Sequence, residues 1–281
     1  MYWIKKNLPK IVVSPSFALL AWFVYGFILW TAYISFTKSK ILPKYDLWGV
    51  GQYFRLWSMD RWHTSVSNLF IYTVLFLILC IVIGVILAIL LDQKIRGEGV
   101  LRTIYLYPMA LSFIVTGTAW KWIMNPTMGI EKFFIDIGFV NFTFDWLVTS
   151  GMSIYCVVIA GVWQSSGFIM AIFLAGLRSI DDEIIKAAKI DGAGIFSIYT
   201  KIVLPMMRPV FMSAIVILVH LSIKSYDLII ALTAGGPGTS SDMPAIFMTQ
   251  YAFNRSEVAL ASSSAMMMFL TVTAIVIPYL Y

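Results

Sequence analysis

Residues 66–91 read VSNLFIYTVLFLILCIVIGVILAILL and contain no charged side chain. At about 1.5 Å per residue, a helix of this length exceeds the roughly 30 Å hydrocarbon core of a bilayer. Backbone N–H and C=O groups that face lipid must be paired within their own segment, and a helix does this. The stretch therefore predicts a membrane-spanning α-helix.

Other apolar stretches of similar length lie on both sides of it. With residues 66–91 they predict six spans of 20 residues or more, since each can cross the hydrocarbon core as a helix. The spans lie at about 16–36, 66–91, 105–124, 152–177, 210–232 and 258–281. The expected fold is an all-α membrane protein with six transmembrane helices, arranged as a single transmembrane domain over residues 1–281.

The composition favours the same class. The 281 residues are 60% hydrophobic and 12% charged, with a mean hydropathy of +0.87. A soluble surface of this size needs far more charge, which argues against a soluble enzyme. The net charge of +6 suits contact with anionic lipid, so we expect membrane lipid and no nucleic acid as a partner. Cys80 and Cys156 lie inside apolar runs and are interpreted as small hydrophobic residues.

The basic residues near the N-terminus predict the orientation. Lys5, Lys6 and Lys10 precede the first span, and the charge bias of the first helix usually dominates, so the N-terminus is expected in the cytoplasm. The apolar run is too long for a signal peptide and lacks a small-residue cleavage site, so we interpret it as a retained span. Segments 1–15, 92–103 and 178–209 then face the cytoplasm.

Segment 178–209, RSIDDEIIKAAKIDGAGIFSIYTKIVLPMMRP, is long for a loop between neighbouring spans. Asp181 or Asp182 is placed to cap a helix that carries Glu183 in its first turn. Asp191 and Gly192 are expected to end that helix, because glycine readily adopts the left-handed conformation.

The rest of the segment predicts an elbow of two short helices. One apolar face is expected from Ile184, Ile185, Ala188 and Ile190, with Lys186 and Lys189 on another face. A second helix over Ile195–Val203 is expected to end before Pro205. An elbow held below the membrane is suited to contact with a cytoplasmic partner.

This segment resembles the cytoplasmic signature loop of ATP-binding-cassette importer permeases, whose pattern is Glu-Ala-Ala, two residues, Asp-Gly-Ala, then Ile-x-Leu-Pro. Lys186 stands where the family has Glu, and Glu183, one turn earlier, is a candidate to supply the acid. The residues that match in order and spacing are Ala187, Ala188, Asp191, Gly192, Ala193, Ile202, Leu204 and Pro205.

Two further regions resemble the carbohydrate-uptake branch of that family. One is Arg102–Pro108, followed by Trp120, Trp122 and Asn125–Gly129; the other is Leu232–Pro237 (LTAGGP), followed by Tyr251–Phe253. Within the branch, the chain looks most similar to the glucose/mannose and glucoside permeases.

The resemblance implies a type I importer permease fold in which segment 178–209 is the coupling loop. It also implies a division of labour: a second permease subunit completes the pathway, two ATPase subunits bind ATP and Mg, and an extracytoplasmic binding protein delivers a mono- or oligosaccharide. This chain is expected to be a non-enzymatic subunit of the inner membrane that binds no cofactor, and its sequence has no Gly-x-x-x-x-Gly-Lys-Ser/Thr phosphate loop. Gly235, Gly236 and Pro237 are candidate contacts for the binding protein, in a loop that its glycines predict to be flexible.

Polar residues within predicted spans are candidates for the solute pathway, because burying them in lipid is costly. In the fifth span, His220, Lys224 and Asp227 are spaced for one helical face, beside Tyr226. A Lys224–Asp227 ion pair that only stabilises the bundle is the alternative. Trp163, Gln164 and Asn68 are further candidates, which equally well satisfy neighbouring backbone groups.

Two other classes of membrane protein are alternative interpretations of the sequence. An ion-coupled secondary transporter or channel needs coupling groups at mid-depth, but Asp227 is the single carboxylate well inside the six predicted spans. A metal-dependent membrane transferase shares Asp191-Gly192-Ala193 with this chain, but the further aspartates of its metal site do not follow. Both alternatives are weaker than the permease interpretation.

Overall fold

A computed structural model describes residues 2–93 and 95–280, and every regular element in this part of the chain is a helix. The α-helices are α1 Tyr2–Ser35, α2 Gly51–Trp57, α3 Asp60–Asp92, α4 Glu98–Ala110, α5 Phe113–Ile123, α6 Ile130–Asp136, α7 Ser153–Arg178, α8 Asp182–Ile190, α9 Ile195–Ile198, α10 Leu204–Met206, α11 Arg208–Ile223, α12 Tyr226–Leu232, α13 Pro244–Thr249 and α14 Val258–Leu280. Two π-helical turns, Tyr199–Val203 and Gln250–Asn254, follow α9 and α13.

The helices form two compact units. One comprises the residues up to 62 together with 247–270. Within it, the end of α1 and the start of α14 are joined through the segment between α1 and α2, because the Ala259 N–H donates to the Ser39 carbonyl at 3.1 Å. Arg55 on α2 forms an ion pair with Glu257, with 2.5 Å between Nη1 and Oε2. Trp62 packs edge-on against Phe247 in the same unit.

The second unit comprises residues 63–246 and the residues from 271, with α7 at its centre. Side chains on all sides of α7 are buried, and Ile169, Met170 and Phe173 are completely inaccessible. The close approach of α4 to α7 requires Gly167, because a Cβ there would lie 1.8 Å from the Tyr105 carbonyl oxygen. Small residues at such crossings let helix backbones approach closely.

The predicted third span, 105–124, is divided in the structure. Helices α4 and α5 meet at 99° across Leu111 and Ser112. Leu111 is extended, and the Ser112 hydroxyl caps α5 by accepting from the Val115 N–H at 3.3 Å. Pro108 in the last turn of α4 favours the break, because proline has no N–H to donate to the preceding turn.

The predicted fifth span, 210–232, is also divided, since α11 ends at Ile223 and α12 begins at Tyr226. The Ser222 hydroxyl donates to the Val219 carbonyl at 2.8 Å, and the Ser225 hydroxyl donates to the Ser222 carbonyl at 2.7 Å. Such back-bonding of serine competes with the helical ladder and bends helices.

Four helices of the described chain are long and apolar enough to cross a membrane: α1, α3, α7 and α14. The number rises to six if each of two bent pairs counts as one span. The pairs are α4 with α5, and residues 195–206 with α11, which meet at 65°.

Candidate functional site

Helix α8 begins with the cap that the sequence predicts. Asp181 is extended, and its carboxylate accepts from the Glu183 N–H at 2.9 Å. Asp182 and Glu183 lie in the first turn, where negative charge interacts favourably with the helix dipole. Of the two predicted capping residues, Asp181 is therefore the cap.

Helix α8 ends in a Schellman motif centred on Gly192. The Gly192 N–H donates to the Lys189 carbonyl at 3.1 Å, and the Ala193 N–H donates to the Ala188 carbonyl at 3.0 Å. Gly192 has φ +79°, in the left-handed region, and no atom lies within 4 Å of a Cβ added there. The position thus requires glycine for its backbone conformation and not for space.

The two sides of α8 have different environments. Ala188 is buried and Ile185 packs against the core, whereas Ile190 is 85% exposed. The prediction that Ile190 shares an apolar face with Ile185 and Ala188 is therefore wrong. Lys186 and Ala187 are exposed on the outward side.

Three apolar side chains at the end of α8 and the start of α9 are exposed, and we call them the elbow surface, defined as Ile190, Ile195 and Phe196. Ile195 is 62% and Phe196 is 79% exposed. The acidic and basic side chains of α8 are exposed as well, so this segment does not resemble a lipid-facing helix. An apolar patch with a polar border is typical of a protein–protein contact.

The second helical run is longer than predicted, and it does not end before Pro205. It continues from α9 through the π-helical turn Tyr199–Val203 into α10, which contains Leu204 and Pro205. Pro205 is the second residue of α10, directly after the π-helical turn, and the change of hydrogen-bond pattern there tolerates its missing N–H as the first turn of a helix does. The chain turns only at Met207, which ends α10 and precedes α11.

Arg178, at the start of this loop, contacts two other helices. Its guanidinium donates to Glu98 Oε1 at 2.7 Å, and its Nε lies 3.7 Å from Asp92 Oδ1. The last residue of α7 is thereby linked to the end of α3 and the start of α4.

The second helical run is linked to α3 as well, because the Gln93 amide donates to the Tyr199 hydroxyl at 3.3 Å. Burial raises the pKa of Tyr199, and the negative charge of Asp92 raises it further, so the phenol stays neutral. The loop is therefore held to the ends of the long helices by charged and polar contacts.

A cavity of about 280 Å³ lies where α4 breaks from α5 and α11 from α12. Its lining includes Ser112, Gln164, Ser165 and Asp227, next to apolar groups such as Phe168. Gln164 is buried, and its amide nitrogen donates to the Leu111 carbonyl at 2.9 Å, which satisfies a group exposed by the break. Gln164 Oε1 is buried without a hydrogen-bond partner in the described part of the chain.

This arrangement can bind a neutral, hydroxyl-bearing solute. An unpaired buried acceptor costs about 1–3 kcal/mol, and a donor from a bound solute offsets that cost. The Asp227 carboxylate and the two serine hydroxyls supply further acceptors or donors in the same cavity.

The predicted polar stripe of the fifth span does not lie on one helical face, because the break separates its members. His220 is on α11, Lys224 caps the end of α11, and Tyr226 and Asp227 begin α12. Of these four described residues, Asp227 alone lines the cavity. The ion pairs of the described residues do not include one between Lys224 and Asp227.

Trp163 and Asn68, the remaining pathway candidates, lie outside this cavity. Trp163 is 40% exposed and contacts Trp120 edge-on, with 5.8 Å between ring centroids. The Asn68 amide nitrogen donates to three carbonyls, of Thr239 at 3.3 Å, Ser240 at 3.1 Å and Asp242 at 2.9 Å.

Asn68 thereby fixes the loop that contains Gly235, Gly236 and Pro237. The Ser240 hydroxyl accepts from the Gly151 N–H at 2.8 Å, and Ser241 Oγ donates to the Gly236 carbonyl at 2.9 Å. These bonds restrict the conformational freedom that the glycines allow, while the flexibility of the loop stays a prediction. Gly235 is buried, while Gly236 and Pro237 are half-buried.

Three features of the site were not predicted from the sequence: Ser112, Ser165 and the link from Arg178 to Glu98. Ser112 has a local signal, because a serine shortly after Pro108 is typical of a helix end followed by a new helix cap. Ser165 and the ion pair have no such signal, since their partners are distant in the chain.

Comparison with known proteins gives a match to a family described as "Binding-protein-dependent transport system inner membrane component", over residues 80–281. A probable ABC transporter permease protein of Pyrococcus horikoshii is 39% identical over 279 residues, covering 98% of this chain and 96% of that protein. The xylose/arabinose import permease protein XacH of Haloferax volcanii is 35% identical over 269 residues, covering 94% of this chain and 84% of that protein.

A solved structure resembles the fold. A chain of a bacterial ABC transporter involved in the import of the acidic polysaccharide alginate superposes with a TM-score of 0.85, covering 98% of this chain and 94% of that chain. Because the two sequences are 18% identical, this likeness establishes the arrangement of helices alone.

Proposed function

The chain belongs to the family of binding-protein-dependent transport system inner membrane components, and from this premise we propose that it forms half of the solute pathway of an ATP-driven sugar importer. It is a permease of an ABC transporter, a multi-pass membrane protein with the type I importer fold. Beyond this membership, we propose the solute, the partners and the role of the elbow.

The elbow surface is the observation that carries the proposal. Ile190 and Phe196 are among the most exposed apolar residues of the described chain and belong to the same loop as the charged residues of α8. We infer that they dock into a cleft of a cytoplasmic ATPase subunit, with Ala187 and Gly192 beside them. ATP binds to that partner, and its movements reach α3, α4 and α7 through the Arg178 contacts as rigid-body motion.

A sugar is the proposed solute. The cavity around Gln164 and Asp227 combines hydrogen-bonding groups with the apolar surface of Phe168, and sugars present hydroxyls and apolar ring faces together. The resemblance to glucose/mannose and glucoside permeases favours a hexose, while one relative is named for xylose and arabinose. A pentose is therefore the first alternative in a binding screen.

We propose the remaining assembly on the basis of the family membership. An extracytoplasmic binding protein delivers the sugar, and a second, similar permease completes the pathway. We propose a cytoplasmic N-terminus, which places the elbow on the same side as the ATPase.

Cysteine labelling tests the docking role. Cys80 and Cys156 are completely buried, so a cysteine introduced at an exposed position is labelled selectively. In inside-out vesicles, Ile190→Cys should react with a membrane-impermeant maleimide, and the ATPase subunit should protect it. Phe139→Cys, which is exposed and predicted to lie on the outer side, is the control and should stay unlabelled. Equal labelling of Ile190→Cys with and without the ATPase would contradict the docking role.

A further inference from the structure

A second cavity, of about 290 Å³, lies within the unit formed by the residues up to 62 and 247–270. Its wall contains Lys38, Lys40, Trp48, Gln52 and Arg55 together with Glu257 and Leu260. The volume is close to the lower limit of about 300 Å³ for pockets that hold small ligands.

The cavity has an excess of positive charge. Arg55 is neutralised by Glu257, with 2.5 Å between Nη1 and Oε2. Lys38 and Lys40 are exposed, and neither takes part in an ion pair of the described residues. Lys38 Nζ lies 5.1 Å from the centroid of the Trp48 ring, which holds the ammonium group at the cavity.

Gln52 is a second feature of this cavity that suits a polar ligand. The side chain is 5% exposed, and its amide nitrogen donates to the Thr37 carbonyl at 3.1 Å, which fixes its orientation. Gln52 lies in the wall of the cavity, and its Oε1 has no hydrogen-bond partner within the described residues. A ligand that donates a hydroxyl to Oε1 while its anionic group meets the two lysines satisfies both features.

The position of the cavity indicates the source of such a ligand. Lys38 and Lys40 follow the end of α1 at Ser35, and Leu260 lies in the first turn of α14. Both helices are long and apolar enough to cross the membrane, so the cavity lies where they leave the hydrocarbon core. That level is occupied by lipid headgroups, and basic side chains there attract the anionic ones.

We propose that this cavity is a binding site for an anionic phospholipid whose headgroup carries a free hydroxyl, such as phosphatidylglycerol. The phosphate lies between Lys38 and Lys40, and the headgroup hydroxyl donates to Gln52 Oε1. The site is separate from the solute cavity at Gln164, and it requires only that α1 and α14 cross the membrane.

Lipid binding to the purified full chain tests this site. Native mass spectrometry in detergent gives the affinity for phosphatidylglycerol, with phosphatidylcholine as the zwitterionic comparison and glycerol 3-phosphate as the soluble headgroup. The double variant Lys38→Gln/Lys40→Gln should bind phosphatidylglycerol about 30-fold more weakly, since each basic residue at the membrane surface adds about 1 kcal/mol. Lys38→Arg/Lys40→Arg should retain binding, because it keeps both charges.

Lys44→Gln is the matched control. Lys44 lies in the same segment and is exposed, but its side chain is not part of the cavity wall, so its removal should change the affinity less than about twofold. Equal affinity of the double variant and the parent chain would overturn the proposal. Equal affinities for the two phospholipids would overturn it as well. Tight binding of glycerol 3-phosphate that depends on the two lysines would assign the site to a soluble phosphate ester, against the proposed lipid.

Discussion

The Arg178 guanidinium, at the last residue of α7, donates a 2.7 Å hydrogen bond to the carboxylate of Glu98, the first residue of α4. Segment 178–209, the proposed coupling loop, begins at Arg178, so this pair joins it to the helix that breaks at Ser112 beside the cavity around Gln164. A displacement of the elbow therefore has a direct connection to one wall of that cavity.

Arg178→Ala should weaken the coupling between ATP hydrolysis and uptake. The pair is partly exposed, so we expect less than about 1 kcal/mol of lost stability. Uptake per ATP hydrolysed should fall roughly 2- to 30-fold, which corresponds to coupling energies of about 0.5–2 kcal/mol. The measurement is the ratio of transported solute to released phosphate in proteoliposomes. Lys132→Ala, which removes another surface ion pair, is the control and should keep the ratio of the parent chain.

Gly192→Val should abolish uptake and ATPase stimulation while leaving membrane insertion intact. A β-branched residue at φ +79° is strongly disfavoured, so the Schellman motif is lost and the elbow surface changes direction. Gly192→Asn is the matched variant, because asparagine tolerates the left-handed region and should retain most activity. Normal uptake by the valine variant would show that the bend at Gly192 has no part in coupling.

Variants of the solute cavity should weaken transport without affecting assembly. Gln164→Met removes the unpaired acceptor together with the bond that the amide donates to the Leu111 carbonyl, and Asp227→Ala removes the carboxylate. Each should raise the solute concentration for half-maximal uptake about tenfold, the equivalent of one lost hydrogen bond to the solute. Alanine at Lys224 or Tyr226, which do not line the cavity, should have a smaller effect. If all four variants take up solute with unchanged concentration dependence, the cavity is not the binding site.

Gly167→Ala should destabilise the bundle. The new Cβ would lie 1.8 Å from the Tyr105 carbonyl oxygen, and overpacking of this kind costs about 1–3 kcal/mol or more. Gly99→Ala on α4 meets no atom within 4 Å and should be neutral or stabilising, because alanine is the better helix former. Thermal unfolding in detergent compares the two, and equal midpoints would contradict the close contact between α4 and α7.

Structural features that depend on residues close in the sequence were predicted well. The cap at Asp181 and the helix end at Gly192 were predicted from single residue types, because their hydrogen bonds join residues at most five positions apart. The extension of the second helical run through Pro205 was not predicted. A proline in the first turn of a helix and a proline after a helix end cannot be told apart in the sequence.

Features that depend on distant partners were not predicted. Gln164 pairs with a carbonyl 53 positions away and Arg178 with a carboxylate 80 positions away, and nothing local marks either pair. The break at Ser225 changed the interpretation of the fifth span most, because the prediction assumed one continuous helix through Lys224 and Asp227.

Reconstitution tests the central claim, that the elbow couples this chain to an ATPase, most directly. The purified chain is placed in proteoliposomes alone, or together with the second permease, the ATPase subunits and the binding protein, and uptake of labelled sugar is measured with ATP or with an imposed ion gradient. We predict uptake only in the complete assembly with ATP, and none when that assembly carries Gly192→Val. Uptake by the chain alone, driven by the ion gradient, would contradict the claim.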